Sequence, residues 1–135
     1  MQSARLPLQA AIVAALTAPD ALGVPGAAVT ATPRENAPLP LVVVGLDTEV
    51  HDPFTSDKDD TCATLTHTVR VYAASSTQAK TLAARITSAL VAPLPVAGFA
   101  VVEATLDFAA PGYEAGPPEA FTDTVRVRYL IAPNP

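Results

Sequence analysis

The densest run of groups able to do chemistry is HDPFTSDKDD, residues 51–60, which sets His51 beside Asp52 and follows with Asp57, Asp59 and Asp60. An imidazole among carboxylates suggests a calcium loop or a metal-assisted hydrolase. The spacing serves neither. An EF-hand calcium loop needs Gly at its sixth position and Glu at its twelfth, and counting from Asp57 puts Cys62 and Thr68 there. What remains is a solvated acidic loop with the makings of a contact surface, and no metal or cofactor is assigned to it.

His67 falls on the apolar register of a strand with Leu65, Val69 and Val71, so it reads as a half-buried, hydrogen-bonded structural histidine rather than a catalytic base. No G-x-S-x-G elbow, H-E-x-x-H helix, dinucleotide turn or phosphate loop is present to give it a partner reaction. Arg70, Arg126 and Arg128 alternate with apolar residues, which places their tips among threonines on a solvent face. In a monomer they are solvated; in an oligomer they can pair with the acidic loop, or with Glu103 and Asp107, of the next subunit. Such pairing sets register more than affinity. A second polar stretch, PGYEAGPPEA, contributes Tyr113 and Glu114 as further contact candidates. Cys62 is the single cysteine, so no internal disulfide or zinc cluster can form. The formal net charge of −5 argues against a domain built to neutralise phosphates.

These groups need elements to hold them. Pro7 suits the first turn of a helix and Pro19 stops it, with Leu8, Ile12 and Leu16 as its stripe; the spacing predicts a helix over 6–18. Pro7 and Gln9 interrupt any signal-peptide core and no apolar run could span a bilayer, so a soluble protein made in the cytoplasm is expected. Six Gly and Pro residues between 20 and 40 leave an irregular connection, with room at 29–32 for a short edge strand. Residues 41–50 open with Leu41, Val42, Val43 and Val44, a strand covered on both faces, and 62–74 form the strand carrying His67. Ser75 and Gln78 make a capping box for a helix over 76–91, whose buried stripe is Ala79, Leu82, Ala83, Ile86 and Leu90.

Residues 100–108 alternate, with Val102, Ala104, Leu106 and Phe108 on one side. Residues 121–131 alternate most clearly, with Phe121, Val125, Val127, Tyr129 and Ile131 against Thr122, Thr124, Arg126 and Arg128. The expected fold is α+β: a two-layer sandwich in the order α-β-β-α-β-β, with two helices packed on one face of a four-stranded, mainly antiparallel sheet. The whole chain, 1–135, reads as a single domain. Its core holds no Trp and few aromatics, which leaves apolar surface available to a partner. Both hairpin loops, 51–60 and 111–120, are long for their task and so read as contact surfaces.

Pro40, Val42, Val43, Val44 and Gly45 match a P-x-V-V-V-G strand, and Asp52 and Asp57 an acidic loop. His67, Val69, Val71 and Tyr72 match an H-x-V-x-V-Y/W strand; Ala79, Leu82, Ile86 and Leu90 an Ala-rich helix; Val125, Val127 and Tyr129 a closing strand. In this order they resemble the tail terminator, or tail completion, proteins of long-tailed phages and of phage-derived gene transfer agents. The resemblance covers nearly the whole chain, with Tyr72 where a Trp is common. It implies a structural virion protein of the tail or neck, without enzymatic activity, assembled in the bacterial cytoplasm. It further implies a hexameric ring that caps the tail tube, stops its polymerisation and presents an attachment surface to the head-side connector or stopper. Six copies at −5 each carry −30 formal charge, suited to DNA passing without specific binding. Another neck or minor tail component, such as a head–tail stopper or adaptor, is the alternative; an enzyme using His51 and the aspartates ranks last.

Overall fold

The computed structural model describes residues 3–18, 21–23, 28–31, 39–51, 62–115 and 119–134. In chain order they form α1 (Arg5–Thr17), β1 (Ala28–Thr30), β2 (Leu41–His51), β3 (Ala63–Ala73), α2 (Ser76–Val91), β4 (Phe99–Glu114) and β5 (Ala120–Pro133). The strands make one sheet in the order β1-β2-β3-β5-β4, with β1 parallel to β2 and the other pairs antiparallel. Both helices lie on one face, α1 against β1 and β2, α2 against β3, β4 and β5. The expected α+β class and one-sided helix layer are therefore found. The four-stranded count is corrected to five: the short edge strand allowed for at 29–32 forms at Ala28–Thr30 and adds a parallel edge to β2.

Each helix is held at its ends by a different device. Ser75 caps α2, its Oγ accepting from the Gln78 N–H at 3.1 Å, while Gln78 Oε1 accepts from the Ala74 N–H at 3.3 Å. At the other end the Tyr129 hydroxyl, on β5, donates to the Leu90 carbonyl at 2.8 Å inside the core. This satisfies one of the carbonyls a helix leaves open at its C-terminus, and burial pushes the phenol pKa up. Helix α1 has no side-chain cap of its own. Instead Glu49 of β2 accepts from the Ala4 N–H and the Ser3 hydroxyl, each at 2.8 Å, and Asp47 takes Arg5 in a two-pronged pair at 3.0 and 3.2 Å. Carboxylates at a helix N-terminus also suit its dipole.

The core is the layer between helices and sheet. Leu8, Ile12 and Leu16 of α1 and Leu82, Ile86 and Leu90 of α2 meet Leu65, Val69, Val71, Val125, Val127, Tyr129 and Ile131, all with next to no exposure. Burying each such side chain stabilises the fold by roughly 1.5–3 kcal/mol. On the opposite face a smaller cluster buries Leu41, Tyr72 and Ala120 with Leu39 and Val43, so the start of β2 is covered on both sides as its unbroken apolar run requires.

Two expectations for the closing hairpin are corrected. Strict alternation put Val102, Ala104, Leu106 and Phe108 inward. Bulges between Val101 and Glu103 and between Leu106 and Phe108 shift the register, and each extra residue reverses the phase beyond it. Phe99, Val101 and Ala104 pack on the core, whereas Val102 is 60% exposed and Phe108 sits across from Arg126 on the outer face. The loop expected over 111–120 is also shorter, because pairing continues through Pro111↔Asp123 and Gly112↔Thr122 to Glu114↔Ala120. Pro111 is tolerated because β4 ends the sheet order, where a missing N–H breaks no second ladder. Gly112 suits a close approach: a Cβ there would lie 2.5 Å from Thr122 Oγ1, so the Thr122 side chain would have to shift.

The register of β5 predicts opposite outcomes at neighbouring positions. Val127→Asp places an unpaired carboxylate in the core, a cost of at least several kcal/mol, and abolishes the cooperative melt seen by circular dichroism; Arg128→Ala, on the exposed side, leaves it nearly unchanged. Equal tolerance of both would contradict the register. Tyr129→Phe strands the Leu90 carbonyl and lowers the unfolding free energy by about 1–2 kcal/mol in urea titrations.

Candidate functional site

The sheet face away from the helices carries Arg70, Arg126 and Arg128 among threonines, and the ladder sets them in rows. Thr66, Arg128 and Thr105 share one row, Thr68, Arg126 and Phe108 the next, then Arg70, Thr124 and Ala110, then Tyr72, Thr122 and Gly112. Threonine at alternate positions suits this face because its branched Cβ favours strand geometry while its hydroxyl stays wet.

Within these rows the three arginines differ. Arg126 Nε donates to Asp107 Oδ2 at 2.7 Å, and its guanidinium lies 5.2 Å from the Phe108 ring centroid. That exposed pair contributes little stability, but it occupies both charges within one chain. Arg70 and Arg128 form no ion pair with any described residue. Arg128 borders a shallow depression with Thr64, Glu103, Thr105 and Leu130. Arg70 opens onto a groove of about 400 Å³ that runs along Phe108, Ala110, Gly112, Thr122 and Thr124 toward Tyr113 and Glu114. Tyr113 is exposed at the end of β4, edge-on to Phe121 with ring centroids 5.4 Å apart. Hydrogen bonding to Glu119 raises its pKa. Glu114 is the last residue of β4.

The first hairpin places His51 at the end of β2, paired with Ala63, rather than in the loop. Asp52, Asp57, Asp59 and Asp60 lie outside the described residues. The structure thus brings Arg70, Arg126 and Arg128 onto one face and puts Tyr113 and Glu114 at its far end. Sequence reading missed Phe108 and Gly112 as parts of that face, because the bulges that turn Phe108 outward leave no mark on composition. It also missed Asp123, which occupies the apolar register of β5 beside Val125. Asp123 is buried, its Oδ1 has no hydrogen-bond partner, and burial raises its pKa against the opposing pull of Lys80 and the Thr124 N–H.

His67 is buried completely, more than the half-burial expected. Its Nε2 accepts from the Gly45 N–H at 3.2 Å while Nδ1 has no partner. An accepting Nε2 places the proton on Nδ1, so the ring is neutral. Burial lowers its pKa below the ordinary 6.5, with Asp47 pulling the other way. Among the described residues no group of three His, Cys, Asp or Glu could hold a metal ion, and no helix is long and apolar enough to cross a membrane.

The family model of the tail completion protein gp17 matches residues 10–132. The chain belongs to the tail completion family. It is accordingly a structural component of a phage-type tail, as the order of sequence motifs implied. A solved structure from the virion of a native gene transfer agent (GTA) particle shares the fold, with a TM-score of 0.68 and 23% identity over 93% of this chain and 95% of that one. No match is found among curated proteins. In this tail completion protein the hydrogen bond from Gly45 to His67 joins two of the motifs that carried the resemblance, so the histidine serves the fold.

That bond predicts a pH dependence. The unfolded chain binds a proton at His67 near 6.5 and the folded chain only below that, so stability is full above 6.5 and falls as pH drops from there toward the native value. Protonation also removes the acceptor for Gly45. Urea titrations at about pH 7.5 and about pH 5 should show a loss for the native chain that is much smaller in His67→Leu, which starts from a lower stability. An identical pH slope in the two proteins would contradict the assignment.

Proposed function

We propose that the protein caps the tail tube as a hexameric ring of identical copies, which stops tube polymerisation and offers its other side to the head-side connector or stopper. The family match over residues 10–132 carries this reading. Three physical features support it. The outer sheet face holds the cations Arg70 and Arg128, which form no ion pair with any described residue, in a chain with a surplus of acids. The edge strand β4 leaves Val102, Leu106 and Phe108 substantially exposed, apolar surface of the kind that subunit contacts cover. The net charge of −5 per copy disfavours adhesion of DNA passing through a channel.

In this reading the full chain, 1–135, acts as one domain. His51, Asp52, Asp57, Asp59, Asp60, Arg70, Tyr113, Glu114, Arg126 and Arg128 are its contact residues, toward the tail tube protein, the connector or a neighbouring copy. Arg126 contributes with its charge already matched by Asp107.

Electron microscopy of the purified protein, alone and mixed with tail tube protein, tests the proposal. Rings with a lumen wide enough for duplex DNA, or capped tube ends of uniform length, are the expected result. A strict monomer at high concentration that also leaves tube growth unchecked would overturn it.

A further inference from the structure

The groove beside Arg70 has a charge that forms no ion pair with any described residue, and a floor of small side chains. Arg70, Thr124 and Ala110 share a row, and Thr122 and Gly112 share the next but one residue along each strand. Gly112 cannot gain a Cβ without striking Thr122 Oγ1, so the floor stays shallow. Phe108 forms one wall. Glu114 is the acid among the lining residues, and it lies four residues along β4 from Ala110, about 13 Å at strand rise. A guanidinium exposed on a threonine surface, paired with no carboxylate among the described residues, is suited to a carboxylate brought from outside.

The chain contains a segment of matching chemistry. Residues 52–61 carry Asp52, Asp57, Asp59 and Asp60 against the single Lys58. The segment starts after His51 and ends before Ala63, which are paired at one end of the sheet, whereas the groove lies at the other. From Ala63 to the rows of Arg70 and Tyr72 is seven to nine residues of β3, about 23–30 Å at strand rise. The 11 residues between His51 and Ala63 reach out and back no further than about 18 Å when fully extended. A chain's own acidic segment therefore falls short along the groove, and a second copy has no such limit.

We propose that the groove around Arg70 is the docking site for the acidic segment 52–61 of a second copy of this chain. The proposal rests on the ring reading for its premise that copies associate, and it deepens that reading by naming a contact. Because donor segment and groove sit at opposite ends of the strands, each copy can give to one neighbour and receive from another. Contacts of this head-to-tail kind close into rings when the rotation between copies allows it.

The test uses the full-length protein in three forms: the native chain, Arg70→Glu, and a variant carrying Asp57→Lys, Asp59→Lys and Asp60→Lys. Each is measured by native mass spectrometry and sedimentation, alone and with tail tube protein added, after melts confirm folding. The native chain is expected to assemble, and each variant alone to associate at least about tenfold more weakly. An equal mixture of the two variants should regain the native mass, since alternating copies restore every contact with the native or the reversed pair of charges. Should Arg70→Glu fail to fold, Arg70→Gln removes the charge and carries the same expectation of weakened assembly. Native-like assembly of the single variants, or no recovery in the mixture, overturns this contact while leaving the ring intact. A native chain that stays monomeric in both conditions overturns the ring and the contact together.

Discussion

The fold turns on one backbone N–H that the sheet cannot satisfy. Between Val43 and Leu46 the pairing of β2 with β3 slips by one residue, and Gly45 takes a φ of +107°, a conformation that side chains rarely allow. Beyond the slip the strand presents its other set of residues to the helices: Val42 pairs with Val71 above it, Asp47 with His67 and Glu49 with Leu65 below it. The freed Gly45 N–H would be costly in the interior without an acceptor. His67 Nε2 supplies one, and burial keeps the ring neutral so that it can.

The consequences run through the helix layer. Without the phase reversal, Asp47 and Glu49 would lie on the same face as Leu41 and Val43, away from α1. With it, Glu49 receives the first N–H of α1 and Asp47 receives Arg5. A helix that lacks a capping side chain is thus anchored by a strand more than forty residues away. On the other side of the bulge, a Cβ added at Gly45 would come into ordinary contact with Gln9 and Ala31, at 3.7–3.9 Å. Helix α1, β1, β2 and β3 meet there.

The opposite margin follows a different logic. Strand β4 closes the sheet order and has only one hydrogen-bonded neighbour, so its two bulges and Pro111 disturb no second ladder. Two helices cannot cover a sheet this wide. Val102 and Leu106 remain exposed at the rim, and the outer face beyond the Leu41–Tyr72–Ala120 cluster keeps Arg128 and Arg70 exposed. On that surface Arg126 is matched by Asp107, whereas Arg70 and Arg128 form no ion pair with any described residue.

Several of these features could be read directly from the residues. The period of Ala79, Leu82, Ile86 and Leu90 and the Ser75–Gln78 pair define α2 because helix capping and amphipathicity are local. Strict alternation from Val125 to Ile131 defines the core face of β5, and from Leu65 to Val71 that of β3, since these central strands have one covered face along most of their length. The order of such motifs was also enough to suggest the family. Only the tertiary structure decided where alternation breaks. The bulges of β2 and β4 depend on what lies across the ladder: a histidine acceptor for Gly45, a threonine that excludes a side chain from Gly112, an arginine opposite Phe108. The same is true of the parallel pairing of β1 with β2, of the burial of Asp123 and of the tertiary cap on α1. Each arises from atoms brought together by folding, at sequence separations over which residue spacing carries no phase.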